Sequence, residues 1–231
     1  KPAGDPMDHV ENRTIPGPGG DIPIRIYRPE PIGDTPPPVI AFFHGGGWVL
    51  SNIDGHDSLA RRIADRTGAI LVSVDYRLAP EHPYPAPHDD CWTATRWLAE
   101  HATEVGGDPG KLVVAGDSAG GNLALVTLLR LRELNLPLPA AAVLISPWGD
   151  LTCSGDSIHE NAEKDPLIPL GALRFVAKSY SRGQDAAAPL LSPVFADYSG
   201  LPPLLIQVGS TEVLYSDAVR VSEQAAQAGV E

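Results

Sequence analysis

Gly116-Asp117-Ser118-Ala119-Gly120 sets a serine between two glycines, after the apolar run 112–115 and before the helix-like stretch 122–134. A serine hydroxyl is a weak nucleophile until the backbone presents it and a base takes its proton. A sharp strand-to-helix turn supplies the presentation, because the glycines remove side chains that would collide at the apex. The following helix start adds unbonded N–H groups and partial positive charge beside the reacting centre. Ser118 is therefore a candidate nucleophile. The pattern alone is weak, since a chain with 23 glycines reaches G-x-S-x-G by chance about 0.1 times.

A second motif upstream changes that balance. His44-Gly45-Gly46-Gly47-Trp48 follows another apolar run, 39–43, so it falls on a loop at the carboxyl end of a strand. Its chance expectation is on the order of 0.01. Acyl transfer needs donors for a developing oxyanion as well as an attacking group, and the two motifs together supply both. The plainer alternative is a pair of glycine-rich turns with no chemistry.

These motifs need a sheet to hold them, and the rest of the chain reads as one. Residues 39–43, 70–74, 112–115, 141–145 and 204–208 are apolar runs of strand length, interrupted only by Ser73 and Gln207, as expected for a parallel sheet covered on both faces. Ile22, Ile24 and Ile26 alternate with polar or partly polar neighbours, as in a half-buried edge strand. Helical patterns at 58–67, 89–101, 122–134 and 217–228 separate the runs. Strand–helix alternation implies right-handed crossovers and an α/β, doubly wound, mostly parallel sheet. From 149 to about 193 the rhythm breaks into a polar, turn-rich stretch and a helical segment at 170–180. This stretch is expected to be a cap-like insertion over the carboxyl edge. The expectation is one domain over residues 1–231.

Composition narrows the partners. A net charge of −12 argues against nucleic acid and anionic membranes, whose phosphates it would repel. No apolar run approaches the roughly 18 residues of a membrane span. Cys91 and Cys153 are far apart and lack metal spacing, so free thiols are expected rather than a disulfide frame. His82, His88, Asp89 and Asp90 cluster in sequence but fit no usual ligand set. No metal or cofactor is expected. A cytoplasmic protein is expected, with a homo-oligomer left open.

His44–Trp48, Asp75-Tyr76-Arg77-Leu78-Ala79-Pro80-Glu81, Gly116–Gly121 and Ser146-Pro147-Trp148 occur in this order. Together they closely resemble the hormone-sensitive-lipase-like bacterial esterases of the α/β-hydrolase superfamily, from about residue 39 to the last. The resemblance implies an α/β-hydrolase fold with a cap and hydrolysis of short- to medium-chain carboxylic esters. It places the nucleophile on Ser118 and the oxyanion donors on the N–H groups of Gly46, Gly47 and Ala119. Gly45 is left to make the tight turn, and His44 to anchor the loop by hydrogen bonds. Trp48 lines the pocket or packs under the loop. Asp117 stabilises the helix start or tunes the loop. Asp75, Arg77 and Glu81 are expected to form structural ion pairs and turns.

The family's acid follows the strand at 204–208, where Glu212 stands at the position usually held by Asp, with Asp217 as competitor. The base should follow the acid, yet the seven histidines, at 9, 44, 56, 82, 88, 101 and 159, all precede Glu212. The expectation is that the last strand, the histidine loop and a terminal helix lie beyond Glu231. The rival is a non-catalytic small-molecule receptor on the same fold. A histidine beyond one more strand would favour the enzyme, and an apolar residue there the receptor. A lactonase or amidase would use the same oxyanion chemistry. The expected partner is a small-molecule ester substrate.

Overall fold

The computed structural model describes residues 7–30 and 33–231. These form a seven-stranded sheet from β1 (His9–Ile15), β2 (Ile22–Arg28), β3 (Val39–Phe43), β4 (Ile70–Val74), β5 (Leu112–Asp117), β6 (Ala141–Ile145) and β7 (Leu204–Gln207). Their order is β1-β2-β4-β3-β5-β6-β7. From β4 to β7 every pairing is parallel, while β2 pairs antiparallel with both of its neighbours, β1 and β4. All residues of β3 and β4 are buried, which explains why these strands read as apolar runs without alternation, Ser73 alone being polar. Phe43 pairs with Gly116, Asp117 with Ile145, and Ile145 with Gln207. The loops after β3, β5, β6 and β7 therefore emerge side by side at one edge.

The helices are α1 (Ile53–Thr67), α2 (Ala86–His101), α3 (Ala119–Glu133), α4 (Ser157–Glu160), α5 (Leu170–Ser181) and α6 (Tyr215–Gln227). Helices α2 and α3 each start three residues before the patterns at 89–101 and 122–134, and two larger differences separate the fold from the sequence expectation. Helix α1 starts at Ile53 rather than 58, because the Asn52 side chain accepts the Gly55 N–H at 2.9 Å and caps the turn. The strand carrying Ile22, Ile24 and Ile26 is not an edge. It lies between β4 and β1, whose mostly polar sequence gives no alternating apolar signal.

The connection from β6 to β7 carries α4 and α5. It returns over the β3 loop: the Tyr84 N–H donates to the Tyr180 carbonyl at 2.9 Å, and the Tyr180 ring stacks on Trp48 with centroids 4.2 Å apart. Among the described residues no helix is long and apolar enough to cross a membrane.

Candidate active site

Ser118 stands between the end of β5 and the first residue of α3, with φ 54° and ψ −117°. A non-glycine residue in this region is strained and must be held by its surroundings. Three backbone bonds hold it. Its N–H donates to Ile145 O at 2.9 Å, and its carbonyl accepts from Asn122 and Trp148, each at 3.1 Å. The flanking glycines are required by contact rather than by their own dihedrals. A Cβ on Gly120 would stand 1.9 Å from the Phe43 carbonyl oxygen, and one on Gly116 2.4 Å from the Gly120 backbone. Any side chain would push the turn off β3, so the G-x-S-x-G pattern records how closely β3 and α3 approach.

The β3 loop folds onto this turn. The Gly45 N–H donates to Asp117 Oδ1 at 2.9 Å. Gly45 does not have a positive φ, so the tight-turn expectation gives way to a steric one: a Cβ there would lie 2.2 Å from Asp117 Oδ2. The reversal falls one and two residues later, at Gly46 (φ 117°) and Gly47 (φ 61°). The N–H groups of Gly46, Gly47 and Ala119 donate to no protein group among the described residues. Unbonded backbone donors are uncommon inside a fold. Two of the three lie in the loop that Gly45 ties to Asp117, and the third directly follows the strained serine.

Buried His44 stacks on Tyr76 with centroids 4.3 Å apart, and its Nδ1 lies 2.7 Å from the Gly45 carbonyl oxygen. Burial lowers the pKa of its imidazole. The Tyr76 hydroxyl donates to the His44 carbonyl at 2.5 Å. Trp48 is fully buried between Tyr180 and Trp148, packed beneath the loop. Asp117 places its carboxylate on Gly45 and His56 rather than on the α3 start, where Ser118 makes no side-chain cap.

On the other side of Ser118, the loop after β7 brings in half-buried Glu212. Its Oε1 accepts from the Ser146 hydroxyl at 2.9 Å and the Gly209 N–H at 2.7 Å, while Oε2 has no hydrogen-bond partner among the described residues. Ser118, Ser146 and Glu212 thus follow three neighbouring strands. With about 4.8 Å per strand, roughly 10 Å separates the first strand from the third, room for an imidazole between. Asp217 lies elsewhere. It is fully buried in the first turn of α6, with Oδ2 accepting the Gly149 and Asp150 N–H groups at 3.0 and 2.9 Å. Burial and the nearby Asp150 push its carboxyl up to about 7.

No histidine bonds to Ser118 or Glu212 among the described residues. His88 is buried against the Val126 carbonyl, and burial pushes it down to about 4. His56 bonds Asp117, His101 stacks on Trp97, and His9, His82 and His159 are exposed. The sequence cluster around His88 is dispersed into ion pairs, Asp89 with Arg130 and buried Asp90 with Arg77. Among the described residues no group of three or more His, Cys, Asp and Glu could hold a metal ion. Asp75 accepts the Ile53 N–H at 3.3 Å, and Glu81 is exposed. His56 falls outside the helical pattern expected at 58–67, yet it lies on α1. The helix cap at Asn52, an Asn three residues before Gly55, was the signal that could have placed it on α1.

Comparison with known proteins agrees with this architecture. A family profile described as the alpha/beta hydrolase fold matches residues 40–231. Carboxylesterase NlhH of Mycobacterium tuberculosis is 41% identical, covering 97% of this chain and 72% of its own. A hyperthermophilic esterase from the archaeon Pyrobaculum calidifontis superposes with a TM-score of 0.92 at 40% identity, covering 97% of this chain and 74% of its own. An esterase described as of the bacterial hormone-sensitive lipase family superposes with a TM-score of 0.87 at 39% identity, covering 97% and 73%. The chain belongs to the hormone-sensitive-lipase-like esterases of the α/β-hydrolase superfamily.

Proposed function

We propose that this protein hydrolyses small carboxylic esters, with short to medium acyl chains, through an acyl-enzyme on Ser118. The observation that carries the reading is the set of unbonded N–H groups at Gly46, Gly47 and Ala119 around a strained serine. The family membership and the esterase names of the relatives support the same reaction class. Ser118 Oγ attacks the ester carbonyl, and the three N–H groups hold the oxygen as it becomes negative. The alcohol leaves with the proton that a histidine has taken from Ser118. Water then repeats the sequence and frees the acid. Glu212, through its unbonded Oε2, orients that histidine and stabilises its cationic form. In this reading the histidine follows Glu231, and residues 149–193 act as a cap. The protein works in the cytoplasm.

The test is turnover of p-nitrophenyl acetate, butyrate and octanoate by the protein and by its Ser118→Ala variant. Sustained hydrolysis that falls by about 10³-fold or more in the variant is expected. Retained hydrolysis in Ser118→Ala would overturn the assignment of the nucleophile. Tight binding of esters with no turnover by the unaltered protein would point instead to a receptor.

A further inference from the structure

Beside the proposed site runs a hydrogen-bonded series that the acyl-transfer scheme does not use. Ser51 Oγ lies 3.0 Å from His56 Nδ1. His56 Nε2 lies 3.2 and 3.3 Å from Asp117 Oδ1 and Oδ2. Asp117 Oδ1 in turn accepts the Gly45 N–H at 2.9 Å. A neutral imidazole satisfies both ends in one tautomer, with Nε2–H donating to the carboxylate and Nδ1 accepting from the Ser51 hydroxyl. The arrangement is built at some cost in conformation. Ser51 adopts φ 77°, and its hydroxyl fits against the first turn of α1 only because residue 55 is glycine, where a Cβ would stand 2.7 Å away.

The series connects three elements: the loop leading to α1, α1 itself, and the joint between β5 and the nucleophile turn. Its end point matters most. Asp117 precedes Ser118, and Gly45 precedes the two glycines proposed as oxyanion donors. The Gly45–Asp117 bond is therefore a strut between the nucleophile and its oxyanion donors. A carboxylate on one bond can rotate about its side-chain torsions, whereas one held by a second donor from a helix cannot do so without losing a charge-assisted bond. We infer that His56, fixed in its tautomer by Ser51, is a positioning residue that acts through Asp117 to hold the oxyanion loop in register with Ser118.

This inference rests on the ester-hydrolase reading, and the experiment separates the two. kcat and KM on p-nitrophenyl butyrate are measured for the unaltered protein, His56→Ala, His56→Gln, Ser51→Ala, Asp117→Asn and the double variant His56→Ala/Asp117→Asn. Hydrogen–deuterium exchange of the peptide spanning residues 44–48 is followed in the same proteins. His56→Ala is expected to lower kcat about 10- to 100-fold with KM within about threefold, because displaced donors weaken only the transition state. Exchange at 44–48 is expected to rise about tenfold or more. His56→Gln, which still donates to the carboxylate, restores most of both, and Ser51→Ala falls between. The double variant loses little more than the worse single one, since both changes cut the same series. Unchanged kcat and unchanged exchange in His56→Ala would overturn the inference, as would additive losses in the double variant. If the unaltered protein turns over no ester, the hydrolase reading fails and the exchange measurement alone decides the strut. If His56→Ala does not fold, His56→Gln and Ser51→Ala decide the same question.

Discussion

At the scale of the residue, the two acidic candidates behind β7 are separated by what their carboxylates already do. Asp217 spends Oδ2 on two backbone N–H groups and is fully enclosed. Glu212 sits at the sheet edge with one oxygen fixed by Ser146 and Gly209 and the other unbonded. A carboxylate that orients a catalytic imidazole needs this combination of a fixed plane and an available oxygen. Glu212→Gln is therefore expected to lower kcat by about 10²- to 10⁴-fold with little change in KM, because the imidazole loses its orientation and its counter-charge. Asp217→Asn is expected to keep kcat within about threefold of the unaltered protein. Steady-state kinetics on p-nitrophenyl butyrate checks both, and a reversed order would move the acid to Asp217.

At the scale of the element, α5 meets the oxyanion loop directly. A Cβ on Gly47 would stand 2.7 Å from Val176 Cγ1, so this side chain closes one wall above a proposed oxyanion donor. Substrate groups bound to a carbonyl at Gly47 must pass Val176. Val176→Phe should shift preference toward shorter esters, lowering the octanoate-to-acetate ratio of kcat/KM by about 10-fold, and Val176→Ala should raise it, in keeping with one to a few methylenes of pocket space. A ratio unchanged in both variants would mean that the substrate leaves by another side. Nothing in the sequence marks Val176 for this role, since the 170–180 pattern predicts a helix but not what it leans on. The same limit applies elsewhere. The five-residue, almost wholly apolar strands β3 and β4 were legible because burial on both faces leaves no alternation to misread. Strand β1 was not legible, because it earns its place by pairing with β2 rather than by its own apolar residues. Ser118 and the three glycines were legible because close approach admits few residue types. The His56 series was not, because hydrogen bonds between separate elements leave no local spacing to read.

At the scale of the whole molecule, two sets of carboxyl groups pull stability in opposite directions with pH. Hydrogen bonds and ion pairs from Arg13 and Arg28 hold Glu11 below its usual range, and Arg61 does the same for Asp57. Ser154, Thr152 and Arg220 outweigh burial to hold Asp150 low. Groups of this kind stabilise the fold above their unfolded pKa and lose that contribution as pH falls through the folded value. Asp217 behaves the other way. Its folded pKa of about 7 stands above the ordinary 3.8, so the folded chain binds a proton that the unfolded chain has released. Stability from this group is complete at low pH, declines as pH rises from about 4 to about 7, and is flat beyond. The groups facing it are Asp150, which opposes its ionisation, Arg220 one turn along α6, which favours it, and the Cys153 thiol, itself pushed up to about 11 mainly by burial. Asn at this position can still accept the backbone bonds but cannot titrate. Melting temperatures of the protein and of Asp217→Asn, taken from pH 4 to pH 9, should therefore diverge in slope between about pH 4 and 7 and run parallel above. Within that window the unaltered protein loses stability relative to the variant as pH rises, by up to about 4 kcal/mol if the full difference in pKa is expressed. Parallel curves throughout would show that Asp217 stays ionised, and that Arg220 outweighs burial at the base of α6.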